Sequence, residues 1–277
     1  MTHDTQPSTL DPHSTQDTTC EWLGTAGWII RHGSTTLVSD PYLSRPPGVA
    51  PFPKPEQELA EADLLTCTHG HFDHAFDMER VARLSGAEVW APGVVCERLR
   101  QAGLDPERLR ENEAGGETQV GDLALEVIPS KHIRFNLPII AKTLGAAILG
   151  RTFWDLVDLG RDWPMGSNSD FLLRAGAHTI YLSGSLGQDP AVLRRYRPDV
   201  ALLPYNGRSD MPRVARMATD CLRPRLLVFH HWDDFYPHFA PPQDPRECLA
   251  DLRREFPQSH FRMARIGHPI RLSTYFG

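Results

Sequence analysis

Within six consecutive positions, His69-Gly70-His71-Phe72-Asp73-His74, the chain places three histidines and an aspartate, and any fold it adopts must make that density of imidazole tolerable. Clustered imidazoles repel once protonated, and each needs a hydrogen-bond partner if buried. Metal coordination removes both costs, because neutral imidazole nitrogen and carboxylate oxygen are the usual ligands of Zn²⁺ and related divalent ions. Side chains alternate along an extended stretch, so His69, His71 and Asp73 can project to one side while His74 turns with the helix that follows. One short loop can then feed two neighbouring metal positions.

The flanking sequence puts this loop at a strand-to-helix junction: residues 63–67 read as a buried strand and residues 78–84 as an amphipathic helix. Upstream, residues 19–23, 27–30 and 35–39 form the strands of a meander, turning at Gly24-Thr25-Ala26 and Arg31-His32-Gly33-Ser34. Asp40-Pro41 closes the third strand, and the prolines of residues 46–55 require an extended connector. Downstream, strands are expected at 88–90, 123–128, 171–174, 179–182, 200–203 and 226–229 and near 261–266 and 270–273. Helices are expected at 56–62, 94–102, 191–196, 214–221 and 245–255. Two strand-rich halves, each with helices, fit an α/β (α+β) arrangement of helices flanking a pair of packed sheets.

Residues 133–168 break this rhythm with an apolar stretch that contains no clear strand, so they read as an insertion. The stretch is interrupted by Lys142 and is too short to cross a bilayer. It is either an extra helix packed on the core or a cap over the site suited to an amphiphile.

The bulk properties narrow the function classes. A net charge of -6 argues against a general grip on nucleic acid, which needs a basic face. The five cysteines, Cys20, Cys67, Cys96, Cys221 and Cys248, are scattered without a Cys-x-x-Cys pair, so reduced thiols and a cytoplasmic location are expected. Residues 1–19 contain neither a signal-like apolar stretch nor an anchor and are expected to be a flexible tail, leaving residues 20–277 as a single domain. The oligomeric state is left open.

The spacing His69-x-His71-x-Asp73-His74 resembles the signature of the metallo-β-lactamase-fold hydrolases. Trp22-Leu23-Gly24-Thr25-Ala26-Gly27-Trp28, followed by Val38-Ser39-Asp40-Pro41, is similar to the opening of the branch that includes ascorbate-6-phosphate lactonase-like and N-acylphosphatidylethanolamine phospholipase-like proteins. The resemblance spans about residues 20–275. It implies a four-layer αββα sandwich with the site at the edge of two sheets. It also implies that His69, His71 and His132 bind a first metal while Asp73, His74 and His231 serve a second. His231 is chosen over the adjacent His230 because it precedes Trp232-Asp233-Asp234-Phe235, which is similar to the His-aromatic sequence ending the family's ligand set. His230 is expected beside a ligand, Asp40 is expected to orient a ligand histidine, and His238 is a candidate substrate contact.

The resemblance departs at one position. Where the family carries a Gly-Asp pair whose carboxylate bridges the metals, this chain has Gly184-Ser185. A hydroxyl is a much poorer ligand than a carboxylate, so a single firmly held ion is the expectation, with a water-bridged pair as the alternative. Zinc is the first choice of ion, with manganese or iron next. The function expected is a metal-dependent hydrolase in which Asp73 orients or deprotonates a water for attack on an ester, lactone, amide or phosphodiester. Its substrate would be a small molecule or an amphiphile. The alternative is a non-catalytic metal- or ligand-binding protein on the same fold, and a nuclease comes third.

Overall fold

The computed structural model describes residues 17–52, 54, 56–112, 115–233, 235–237 and 242–276. The first part of the chain forms β1 (Thr19–Gly24), β2 (Gly27–His32), β3 (Thr35–Ser39), β4 (Leu64–Thr66), α1 (Phe72–Ala75), α2 (Met78–Ser85), β5 (Glu88–Ala91), α3 (Gly93–Gln101) and β6 (Leu109–Glu111). The second part forms β7 (Gly116–Val120), β8 (Leu123–Ser130), α4 (Leu137–Leu149), α5 (Phe153–Asp162), β9 (Asn168–Ala175), β10 (His178–Ser183), α6 (Pro190–Leu193) and β11 (Val200–Pro204). It continues through α7 (Met211–Leu222), β12 (Leu226–His230), α8 (Arg246–Glu255), β13 (His260–Met263), β14 (Pro269–Arg271) and α9 (Ser273–Phe276).

These strands make two seven-stranded sheets, in the orders β14-β1-β2-β3-β4-β5-β6 and β13-β12-β11-β10-β9-β8-β7. Each sheet has an antiparallel run, β14 to β3 and β7 to β10, that continues into parallel pairings. Period-two alternation sorts the side chains between layers. Trp28 and Ile30 of β2 face the other sheet, together with Leu202 of β11 and Phe171 of β9. Ile29 of β2 faces the layer that contains Val81 of α2 and Leu99 of α3. Ala201 and Leu203 of β11 face Ala218 of α7 and Leu252 of α8. Helix, sheet, sheet and helix therefore stack as the expected αββα sandwich. The parallel strands, covered on both faces, read as unbroken apolar runs such as Val200–Pro204, in which every residue is buried.

The structure revises several expectations. Residues 17–19 are part of the fold: Thr18 is buried, its hydroxyl lies 2.9 Å from His32 Nδ1, and Thr19 opens β1. The expected helix at 56–62 is a 3₁₀ turn, Glu56–Glu61. Two unanticipated strands, β6 and β7, are largely exposed at sheet edges, where polar residues such as those of Gly116–Val120 erase the alternation. The irregular segment 133–168 holds two helices, α4 and α5, and its last residue, Asn168, already belongs to β9. No helix among the described residues is long and apolar enough to cross a membrane.

Candidate metal centre

The chemistry-bearing residues gather where strands end. His69 to His74 follow β4, His132 follows β8, Ser185 follows β10 and His231 follows β12, at the open edge where α/β sheets usually hold their ligands. Two groups of donors result. His69, His71 and His132 bring one ligand atom each to within 4.8 Å of one another, and so do Asp73, His74 and His231. His231 adopts φ 55° and Asp40 φ 46°, left-handed conformations that cost a non-glycine residue about 1–2 kcal/mol and are retained only where the surroundings demand them.

Oxygens outside the centre turn the rings inward. Asp40 Oδ1 accepts from the Thr68 backbone N–H (2.8 Å) and hydroxyl (2.9 Å), and it lies 3.2 Å from His74 Nδ1. Thr68 Oγ1 is 3.2 Å from His69 Nδ1. His132 Nδ1 donates to the Ile133 carbonyl at 2.8 Å, which leaves its Nε2 as an acceptor. Asp40 thus lies against His74, a geometry in which a carboxylate can orient an imidazole.

The His230 ring nitrogens meet backbone carbonyls rather than the side chain of a donor residue. They lie 3.1 Å from the Ser183 carbonyl and 3.4 Å from the Thr25 carbonyl, and the His230 ring packs edge-on against Trp28, so it ties the two sheets together. Burial lowers its pKa to about 3, as suits a neutral core imidazole. His238 lies outside the described residues. Ser185 is buried at the cavity wall, where its hydroxyl accepts from the Ile133 N–H at 2.9 Å. The nearby carboxylate of Asp189 caps α6 by accepting from Ala191 N.

The electrostatics of the two groups differ. Burial first, then the neighbouring histidines, holds His69 well below the usual imidazole range. The same causes, burial and then His71, lower His132 to about 4. Burial would raise the Asp73 carboxyl, but His74 and His231 outweigh it and hold it below the usual carboxylate range. His74 is pushed the other way: burial lowers it, and Asp73 and Asp40 more than reverse that. One triad is therefore neutral and rich in lone pairs, whereas the other draws positive charge.

The residues fit a divalent ion on their own geometry. His69 Nε2 and His71 Nδ1 lie 3.1 Å apart inside the protein, and Asp73 Oδ2 sits 3.3 Å from His231 Nε2 and 3.7 Å from His74 Nε2. Such a donor set, with neutral imidazole and one carboxylate, matches the preferences of zinc and its first-row neighbours.

Three features of the centre were not anticipated from sequence. Arg45, buried against Asp233 at 3.3 Å, joins the β1–β2 turn to the loop that carries His231, because Asp233 also accepts from Thr25 N at 2.9 Å. Gly187 lies where any Cβ would overlap the backbone of Lys131 and His132. Asn206, beyond the carboxyl end of β11, lines the cavity, while its Oδ1 accepts from Gly207 N (2.7 Å) and Gln243 Nε2 (2.9 Å). An Asn-Gly pair after a strand reads as a plain turn; only its place among the parallel strand ends gave a signal.

This fold and donor set define a class of metal-dependent hydrolases. Residues 35–232 match the model of the β-lactamase superfamily domain, and the chain belongs to that superfamily in its metallo-hydrolase form. Among relatives, a UPF0173 metal-dependent hydrolase of Thermococcus kodakarensis is 30% identical over 236 residues, covering 83% of this chain and 92% of the relative. Another from Anaeromyxobacter sp. strain K is 30% identical over 259 residues, covering 90% and 85%. Among solved structures, Igni18, a metallo hydrolase from Ignicoccus hospitalis, superposes with a TM-score of 0.65 at 18% identity, over 92% of this chain and 98% of that one. CmlA, a diiron β-hydroxylase from Streptomyces venezuelae, gives a TM-score of 0.62 at 18% identity, over 95% of this chain and 55% of that one. The chain is accordingly an enzyme, a metal-dependent hydrolase, and the family implies a divalent metal.

Proposed function

We propose that this enzyme hydrolyses an uncharged ester, lactone or amide bond carried by a molecule with a substantial apolar part. The observation that carries this reading is a cavity of about 400 Å³ shared by the donor residues and the insertion. On one side lie His69, Asp73, His132 and His231; on the other lie Ile139, Ile140 and Leu144 of α4 and Leu156 and Leu159 of α5. No Lys or Arg lines it among the described residues, so an anionic substrate such as a phosphodiester finds no guanidinium or ammonium partner there. At ~30 Å³ per water-sized group, the space suits roughly a dozen non-hydrogen atoms.

A divalent ion held by these donors supplies a Lewis acid and lowers the pKa of water toward neutrality. Two ions fit the two triads better than one, with Ser185 leaving the pair without a carboxylate between them. Asp73 is placed to accept a hydrogen bond from the attacking water and so to orient it. Asn206, its carbonyl end already engaged, has its amide N–H groups left to donate to the substrate carbonyl as charge develops there. Apolar walls exclude competing water.

The test is turnover of aryl esters of increasing acyl length, beside an aryl phosphodiester, by protein loaded with Zn²⁺, Mn²⁺ or Fe²⁺ and checked for bound metal by elemental analysis. The expected result is one to two ions per chain and a kcat/KM that rises up to ~4-fold per added methylene, the ceiling set by ~0.8 kcal/mol of burial. Asp73→Asn should abolish turnover. Preference for the phosphodiester, or a flat dependence on acyl length, would overturn the reading.

A further inference from the structure

The exposed apolar surface of this protein is concentrated in one place. Leu137, Ile148 and Leu149 of α4 are 81%, 61% and 87% exposed, and Trp154 at the start of α5 is 72% exposed. Among the described residues outside this hairpin, the exposed large hydrophobic side chains are Phe135, just before α4, at 53%, and Phe76, Leu84 and Val94, none of these three above 42%. Large apolar side chains left exposed together on one hairpin mark an interaction site.

The charge of the same segment is equally one-sided. From residue 131 to residue 154 the chain carries Lys131, Arg134, Lys142 and Arg151 and no Asp or Glu, in a protein whose net charge is -6. All four side chains are exposed, and none forms an ion pair among the described residues. The nearest acid in sequence is Asp155, beside Trp154, whose carboxylate accepts from the Tyr236 hydroxyl; Asp158 and Asp162 further along α5 are answered by Arg161.

We propose that the α4–α5 hairpin docks on an anionic lipid surface, lying in the headgroup plane with Leu137, Leu149 and Trp154 inserted and the four cations facing lipid phosphates. Exposed Leu and Trp flanked by unanswered Lys and Arg are the features by which interfacial helices bind such surfaces. With 13 and 10 residues, the helices are too short to span a bilayer, which takes about 20, so the hairpin lies on the surface. A second copy of the chain fits this face poorly, because a two-fold contact would bring both sets of cations to one seam. The inner side of the same two helices walls the cavity through Ile139 and Leu156. An amphiphile dissolved in the bilayer would therefore meet apolar surface all the way to the donors; this last consequence rests on the function proposed above, whereas the docking does not.

The full-length, zinc-loaded protein is to be tested by flotation with vesicles of phosphatidylcholine alone and of phosphatidylcholine with phosphatidylglycerol. Association with the anionic vesicles is expected, weaker by about tenfold or more on neutral vesicles and at high salt. Lys142→Glu/Arg151→Glu and Leu149→Ser/Trp154→Ser should each weaken it by a similar factor while leaving the unfolding midpoint and turnover of a water-soluble ester unchanged. Protein that stays with the unbound fraction for anionic vesicles overturns the proposal. So does a concentration-dependent dimer, seen by light scattering, that Leu149→Ser/Trp154→Ser abolishes, since the patch would then belong to a second copy. Failure of the hydrolase reading shows itself separately, as absent ester turnover with or without vesicles.

Discussion

Asp40 concentrates several demands in one side chain. It adopts a left-handed backbone, takes both hydrogen-bond donors of Thr68 and lies against His74. Asparagine tolerates that backbone and still accepts from Thr68, so Asp40→Asn isolates the charge. It should weaken metal binding by ~10–100-fold, as read by competition with a chelating dye, while Asp40→Ala should also lower the unfolding free energy by about 1–3 kcal/mol. A second carboxyl, Asp170, accepts from the Tyr181 hydroxyl at 2.6 Å and the Ser130 hydroxyl at 3.0 Å, and burial pushes its pKa up to about 6. Its folded value thus lies above the unfolded one. Between about pH 4 and about pH 6 the folded chain holds a proton that the unfolded chain has released, so this contribution is full below pH 4 and is lost as pH rises through 6. Relative to Asp170→Asn, the wild-type unfolding free energy should fall by roughly 3 kcal/mol across that window in denaturant titrations. Residues of this kind differ in legibility. The imidazoles of His69 to His74 announce themselves because nothing but an ion excuses their density, whereas Asp40 before Pro41 looks like a turn former and Asn206 before Gly207 looks like another.

Secondary-structure elements deliver the donors by ending. Each of β4, β8, β10 and β12 stops at the same edge, and the loop beyond each strand carries part of the chemistry. Close approach between those loops depends on glycine: the loop after β10 passes Gly187 against the backbone of His132. Gly187→Ala should push the two loops apart, destabilising the protein by about 1–3 kcal/mol and selectively lowering occupancy of the triad to which His132 belongs, as measured by metal stoichiometry. The central strands could be read from sequence because burial on both faces makes them continuous apolar runs. Edge strands β6 and β7 could not, being short and polar. Segment 133–168 was legible only as an extra helix or a cap, without limits: α4 is apolar nearly all round, with residues such as Leu137 and Leu149 facing out, so it lacks the one-sided periodicity that marks where a helix runs.

At the scale of the whole molecule, the centre is a seam. His69, His71, Asp73 and His74 belong to one sheet's loops and His132 and His231 to the other's, so an ion bound there cross-links two layers otherwise joined by their apolar faces. Chelation should lower the thermal midpoint by about 5–10 °C, reversibly on adding Zn²⁺, because an ion present at ~1,000 times its dissociation constant contributes about 4 kcal/mol. The paired-sheet architecture was readable in outline from two strand-rich halves. Its closure was not, since β14 returns to pair with β1 only through contacts distant in sequence. That distribution of donors also sets a timetable during biosynthesis. As the polypeptide leaves the ribosome, the all-histidine triad is complete once the residues just after β8 have emerged, whereas its neighbour waits for the far end of β12. Of the two groups, the carboxylate-containing one is thus the last to have all its donors in the emerged chain.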